Sequence, residues 1–297
     1  MPTVELNNVC KSYNDNLVVN DVSFAVAKGE IFGLIGPNGA GKTTTIRMMM
    51  DIVKPDSGEI SILGESLNEA AKNSIGYLPE ERGLYRKITV LDSLIYLASL
   101  KGIGARSARG RAEKLMQRVD MLPHKEKKIA ELSRGMGQII QFLVTIIHDP
   151  QLLILDEPFS GLDPVNTKLL KEIILELRSQ GRAIILSTHM MNEVEELCDR
   201  IFMLNKGRGV LHGELVEIKS RYRNNSIFLE FDGVLGGIDG VVRKRDYGKY
   251  VELFLDGEMP PQKILEQLVN RGVSVNRFEV STPSLNEIFL QVVEKER

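Results

Sequence analysis

The residues EIFGLIGPNGAGKTTTIRMMM, from Glu30 to Met50, constrain this chain more than any other stretch. The apolar run EIFGLIG reads as a short buried strand ending in glycine, and KTTTIRMMMDIV reads as a helix. Between them Gly36, Pro37, Asn38, Gly39, Ala40, Gly41, Lys42 and Thr43 match the pattern G-x-x-x-x-G-K-[ST], and Thr44 follows. In a strand–loop–helix setting such glycines let consecutive backbone N–H groups converge on phosphate oxygens, and the helix adds its positive end. Lys42 can then reach the β and γ phosphates of a nucleotide, and the Thr43 hydroxyl can ligate Mg²⁺. The competing reading is a chance glycine-rich turn, so the rest of the chain must supply matching chemistry.

QLLILDEP and RAIILSTH are continuous apolar runs of the kind buried on both faces of a parallel sheet. Ligands in such sheets sit at the carboxyl ends of strands. The first run delivers Asp156 and Glu157 there: Asp156 to hold Mg²⁺, directly or through water, and Glu157 to polarise an attacking water. Alternatively the two carboxylates merely cap the next helix. The second run places His189 in a comparable position. A lone histidine is usually structural, but three strand ends converging on one crevice would put His189 against the γ phosphate or the water. Tyr13, expected in a loop between early strands, either stacks on adenine or is an ordinary half-buried tyrosine. His124, His148 and His212 have no such placement and receive no role.

Around these motifs the chain reads as α/β. Val4 to Phe24 alternates weakly, as strands joined by the polar turn YNDN. Three helical patterns from about Val90 to His148 form a block, PVNTKLLKEIILELRSQG is a helix from Pro164 to Gly181, and IFMLNKGRGVLHG is a hairpin. ELVEIKSRYRNN reads as a polar helix or linker. After it the strands SIFLEFDG, YVELFLDG and VSVNRFEV and the helices PPQKILEQLVNRG and SLNEIFLQVVEK suggest a small separate α+β domain. The expected boundaries are 1–222 and 223–297, with the helical subdomain at about 88–150.

ELSRGMGQII, at Glu131–Ile140, sets Ser133 as a helix N-cap with Gly135 and Gly137 close behind. Glycine near a helix start costs stability relative to alanine, so either the segment is a flexible capped loop or a phosphate must approach its backbone closely. The formal net charge of −2 provides no basic field for nucleic acid. Cys10 and Cys198 lack metal or redox spacing and read as free thiols in a reducing compartment. No window reaches about 18 uninterrupted apolar residues, so no transmembrane helix is expected.

The ordered set GPNGAGKTT, LSRGM, LLILDEP, SGLDP and STH resembles that of ATP-binding cassette (ABC) ATPases, over residues 1 to about 220. The resemblance implies a P-loop NTPase with a mixed sheet core, an antiparallel β subdomain and an inserted helical subdomain. It implies ATP and Mg²⁺ as ligands, with Lys42, Glu157 and His189 catalytic and Thr43, Asp156 and Glu80 on the metal. Glu80, in GYLPEERGLY, stands where the family usually has glutamine. Arg134 and Met136 depart from the usual LSGGQ signature, while Ser133 and Gly135 keep it. In the family that signature closes over the γ phosphate held by the opposite subunit. Each motif occurs once here, so the resemblance implies a homodimer or paired ABC subunit, with Ser133 and Gly135 acting in trans and Asp163 in the dimer-contacting loop.

GYLPEERGLY and the C-terminal TPSLNEIFLQVV are similar to ATPase subunits of sodium-exporting and related ABC-2-type exporters. Such a subunit would bind and hydrolyse ATP to power an exporter, closing as a dimer on ATP. It would be cytoplasmic and peripheral on the inner face of the cell membrane, with separate transmembrane permease subunits and no nucleic acid. The basic residues Arg106, Arg109, Arg111, Lys114, Arg118, Lys125, Lys127 and Lys128 either favour that placement or form a solvated helix face. The alternatives are an ABC ATPase acting on nucleic acid or ribosomes, and a low-turnover nucleotide-binding regulator.

Overall fold

The computed structural model describes residues 1–295 except Leu67, Arg82, Arg223, Asn224, Val234 and Glu258. The chain divides into two units, Met1–Leu215 and Val216–Arg297. The division falls before the boundary expected at 222/223, where Arg223 lies outside the described residues.

The first unit runs, in chain order, through β1 (Val4–Tyr13), β2 (Asn16–Val26), β3 (Ile31–Ile35), α1 (Lys42–Met49), β4 (Ser57–Ile62), α2 (Glu69–Lys72) and β5 (Ile75–Leu78). It continues with α3 (Val90–Leu100), α4 (Ala105–Arg118), α5 (Arg134–Ile146), β6 (Leu152–Asp156), α6 (Pro164–Ser179), β7 (Ala183–Thr188), α7 (Met191–Leu197), β8 (Arg200–Asn205) and β9 (Arg208–Glu214). One sheet holds six strands in the order β5-β6-β7-β3-β8-β9. The first five of these run parallel, and β9 returns antiparallel along β8 as the expected hairpin.

Every residue of β3, β6 and β7 is buried, as their unbroken apolar sequences require. A separate antiparallel sheet, β2-β1-β4, shares a hydrophobic core with β3, β6 and β7 of the larger sheet. Its β1–β2 hairpin turns at Asn14 and Asp15, whose φ angles of 47° and 62° fit a two-residue turn that follows the strand twist. Tyr13 is thereby the last residue of β1 rather than a loop residue.

The block α3–α5 follows β5, as the helical patterns require. Several of its basic residues are engaged within the chain. Arg118 pairs with Glu176, Lys125 Nζ lies 3.1 Å from Glu113, and Arg111 donates to the Ile147 carbonyl at 3.2 Å. Among the described residues no helix is long and apolar enough to cross a membrane.

Helix α8 (Leu215–Arg221) opens the second unit, its first residue Leu215 ending the first, and β10 (Ser226–Asp232), β11 (Val241–Asp246), β12 (Val251–Leu255), α9 (Pro261–Asn270), β13 (Ser274–Val280) and α10 (Leu285–Lys295) follow. Its antiparallel sheet has the order β11-β12-β10-β13. Ile227, Leu229, Val251 and Leu253 pack with Ile264 and Leu268 of α9 in a core of its own. The edge strand β11, VVRKRD, is largely exposed, so no apolar alternation announces it.

Candidate functional site

The sheet order explains why distant motifs meet. β5, β6, β7 and β3 are consecutive neighbours, and their carboxyl ends lie nearly level. Leu78 pairs with Leu155, Asp156 with Ser187, and Ile35 with Thr188. One residue beyond these ends stand Glu157, His189 and Gly36, which opens the phosphate loop, and Glu80 stands two residues beyond β5. Glu80, Asp156, Glu157 and His189 line one cavity of about 370 Å³ together with Asn38, Gly39, Gly41, Lys42, Thr43, Thr44 and Val18. Val18, on β2, was not singled out in the sequence. Tyr13 is not among the lining residues; it is exposed, with Lys11 Nζ 5.7 Å from its ring centroid.

The glycines are required by space as well as by conformation. Gly36 and Gly41 have φ of 147° and 108°. A Cβ would sit 2.2 Å from the Leu204 carbonyl oxygen at Gly36 and 2.8 Å from that of Val18 at Gly41. Gly41 is also the N-cap of α1, whose N-terminus opens onto the cavity through Lys42 and Thr43. Lys42 Nζ donates to the carbonyls of Gly36 at 2.8 Å and Pro37 at 3.2 Å. Burial holds the Lys42 ammonium below its ordinary pKa, against the opposing pull of Glu157, Asp156 and Glu80.

Asp156 is fully enclosed. Ser187 Oγ donates to its Oδ1 at 2.7 Å, and Thr43 Oγ1 approaches its Oδ2 at 3.4 Å. Burial pushes its carboxyl pKa up, the Ser187 hydrogen bond opposes this, and Glu80 and Glu157 add to it. Among the described residues no group of three or more His, Cys, Asp or Glu side chains is placed to hold a metal. Mg²⁺ needs only one or two carboxylates when phosphate and water supply its other ligands. The Thr43 hydroxyl beside the Asp156 carboxylate fits that donor set.

Glu157 has φ of 49°, a left-handed conformation uncommon away from glycine. Its N–H donates to the Ser187 carbonyl at 2.8 Å. Thr188 Oγ1 donates to Oε2 at 3.0 Å, while the His189 N–H and ring Nδ1 both reach Oε1, at 3.1 and 2.7 Å. An ionised carboxylate only accepts, so its Oε1 selects the tautomer with the proton on Nδ1. A carboxylate has about four acceptor positions, so capacity remains for a water. Thr188 is the functional residue that sequence reading missed: it sits inside the quoted STH, but a threonine ending a strand carries no distinguishing signal.

The signature segment is elsewhere. Ser133 N-caps α5, its Oγ accepting from Met136 N at 3.2 Å, and it lines a second cavity with Leu84, Arg86, Ile129, Ala130, Leu132 and Gly137. Neither Ser133 nor Gly135 lines the phosphate-loop cavity. Gly135 lies against the loop after Glu157: a Cβ there would stand 3.3 Å from the Gly161 carbonyl oxygen. Asp163 caps α6, accepting from the N–H groups of Val165 at 2.9 Å and Asn166 at 3.0 Å, which hold its carboxyl pKa down together with the Asn166 side chain.

Comparison with known proteins agrees with this geometry. A family profile described as "ABC transporter" matches residues 19–160, and one described as "ATP-binding protein DrrA1-3-like, C-terminal domain" matches residues 213–293. The uncharacterized ABC transporter ATP-binding protein YhaQ of Bacillus subtilis is 40% identical over 97% of this chain and 97% of its own. The Nod factor export ATP-binding protein I of Rhizobium sp. strain N33 is 35% identical over 99% and 97%. A solved ATP-binding subunit of an ABC transporter superposes with a TM-score of 0.69 at 32% identity, covering 74% of this chain and 93% of its own. The chain belongs to the ABC transporter ATP-binding proteins, and its phosphate-loop unit has the ABC ATPase fold.

Proposed function

We propose that this chain hydrolyses ATP to power a membrane exporter, by closing as a dimer on two nucleotides and reopening after hydrolysis. The observation that carries the reading is the separation of the two half-sites. The phosphate loop, Asp156, Glu157 and His189 share one cavity, while Ser133 opens onto another. A second subunit brings Ser133 and Gly135 to the γ phosphate, either as a homodimer or as a paired ABC subunit.

In this account Lys42 gives up its carbonyl partners for phosphate oxygens. Thr43 and Asp156 would hold Mg²⁺, with Glu80 on the remaining side, and the ion would neutralise charge on the β and γ phosphates. Glu157, steadied by Thr188 and His189, accepts a proton from the water whose oxygen bonds to the γ phosphorus, and the bond from that phosphorus to the bridging oxygen breaks, giving inorganic phosphate and ADP. The export direction is supported by the name of the Nod factor export relative. Separate permease subunits, and a cytoplasmic position on the inner face of the membrane, follow from that role.

The test is affinity capture. The tagged chain, drawn from detergent-solubilised membranes, should bring down an integral membrane protein with several spanning helices, and that partner should alter its ATPase rate. Recovery of ribosomes or nucleic acid instead would favour the alternative class. Absence of ATPase activity would favour a nucleotide-binding regulator.

A further inference from the structure

Helix α5 carries a polar stripe through an apolar interior. Gln138, Gln141 and Thr145 are buried, Gln138 and Gln141 at 3% and 4% exposure. Their spacing of three and four residues places them on one face of the helix. The two glutamines spend amide hydrogens on backbone carbonyls of segments leading to the nucleotide cavity. Gln138 Nε2 donates to the Pro158 carbonyl, one residue after Glu157, at 3.1 Å. Gln141 Nε2 donates to the carbonyls of Pro79 at 3.1 Å and Glu81 at 3.3 Å, on either side of Glu80. Thr145 Oγ1 approaches the Tyr77 carbonyl of β5 at 3.4 Å while donating to Gln141 O at 2.9 Å.

The Gln141 contact is the informative one. Its two amide hydrogens clamp the backbone around a single residue, and its Oε1 is buried with no hydrogen-bond partner among the described residues. The clamp fixes the backbone on both sides of Glu80. The same helix begins at Ser133, the residue assigned to the partner's nucleotide.

We propose that Gln141 is a positioning residue: it holds Glu80 at the metal side of the cavity and ties that loop to the helix that carries the signature. The proposal rests on the ATP-site reading above. Docking of Ser133 on the partner's nucleotide is then transmitted along α5 to Glu80 through the Gln141 amide. Because Gln141 does not line the nucleotide cavity, it acts only through Glu80.

Fluorescent ATP-analogue binding to the full chain, with Mg²⁺ and with EDTA, tests this. Gln141→Met keeps the volume and removes the donors. Loss of a residue that orients a metal ligand typically costs about 10–100-fold in metal affinity. Gln141→Met should therefore weaken binding about ten-fold in Mg²⁺ and less than about two-fold in EDTA. Added to Glu80→Gln it should produce no further loss, because both changes act through one side chain. Gln141→Asn, which retracts the same donors by one methylene, should behave likewise and serves if the methionine variant does not fold. Equal weakening in Mg²⁺ and EDTA, a loss additive with Glu80→Gln, or no change would each overturn the proposal. If the wild-type chain itself binds no ATP analogue, the site reading has failed, and the role of Gln141 falls with it.

Discussion

Glu157 Oε1 accepts two hydrogen bonds from the single residue His189, one from its backbone N–H at 3.1 Å and one from ring Nδ1 at 2.7 Å. Thr188 Oγ1 secures Oε2 at 3.0 Å and in turn accepts from Met190 N at 3.1 Å. The carboxylate is therefore oriented by the strand end it faces, on the β7 side of the register pair Asp156–Ser187. Two consecutive residues of β7's end hold the group assigned to take the proton.

Thr188→Val removes the Oε2 donor and leaves the shape of the strand end. Turnover should fall about ten-fold, the rate equivalent of about 1.4 kcal/mol for one hydrogen bond to a charged group. ATP affinity should change little, since the phosphate loop is untouched. Steady-state kinetics check this, and a change confined to KM would contradict the orienting role of Thr188.

Asp156 provides a pH test in the nucleotide-free protein. Its folded pKa is raised, chiefly by burial, so the native state holds its proton more tightly than the unfolded state. The stability this contributes is present below the ordinary value of 3.8 and is lost as pH rises through the raised one. Asp156→Asn, which keeps an acceptor for Ser187, should match the wild type at low pH. It should gain stability over the wild type as pH rises through that window, and then level off. Thermal melts of both proteins across pH check the sign. A gain that shrinks with rising pH would contradict it.

All nucleotide-site residues lie upstream of α8. A chain ending at Tyr222 should fold cooperatively and bind ATP with the affinity of the full protein. Loss of binding in a soluble, folded truncation would show that the second unit is needed to form the site.

The site was legible in the sequence wherever one short segment carries its own geometry. The loop from Gly36 to Thr43 is such a segment, since the steric demands at Gly36 and Gly41 are written locally. Asp156 and Glu157 at the end of an apolar strand are another. What depends on packing was not legible. Gln138 and Gln141 look like solvent-facing helix residues until α5 is seen buried against two loops. Tyr13, expected in a loop, is the last residue of β1 because the turn is made by Asn14 and Asp15, and Val18 of β2 lines the cavity without any local signal. The edge strand β11 was missed because its charges suppress alternation, and β5, α2 and α7 because elements of four to seven residues carry too little pattern. The division into compact units falls at the start of the polar helix α8, which has no compositional break at Leu215.

Ser133 is proposed to complete the nucleotide site of a second subunit. Glu157→Gln keeps the side-chain shape but removes the base, which should lower turnover by about 10²–10⁴-fold. With one negative charge fewer facing the γ phosphate, the variant should accumulate with ATP and Mg²⁺ as a dimer holding two nucleotides. Size exclusion with light scattering measures this directly. Adding Ser133→Arg places a bulky side chain where the partner's phosphate docks, and the account predicts a return to monomer with ATP still bound. A dimer that persists unchanged in the double variant would contradict it.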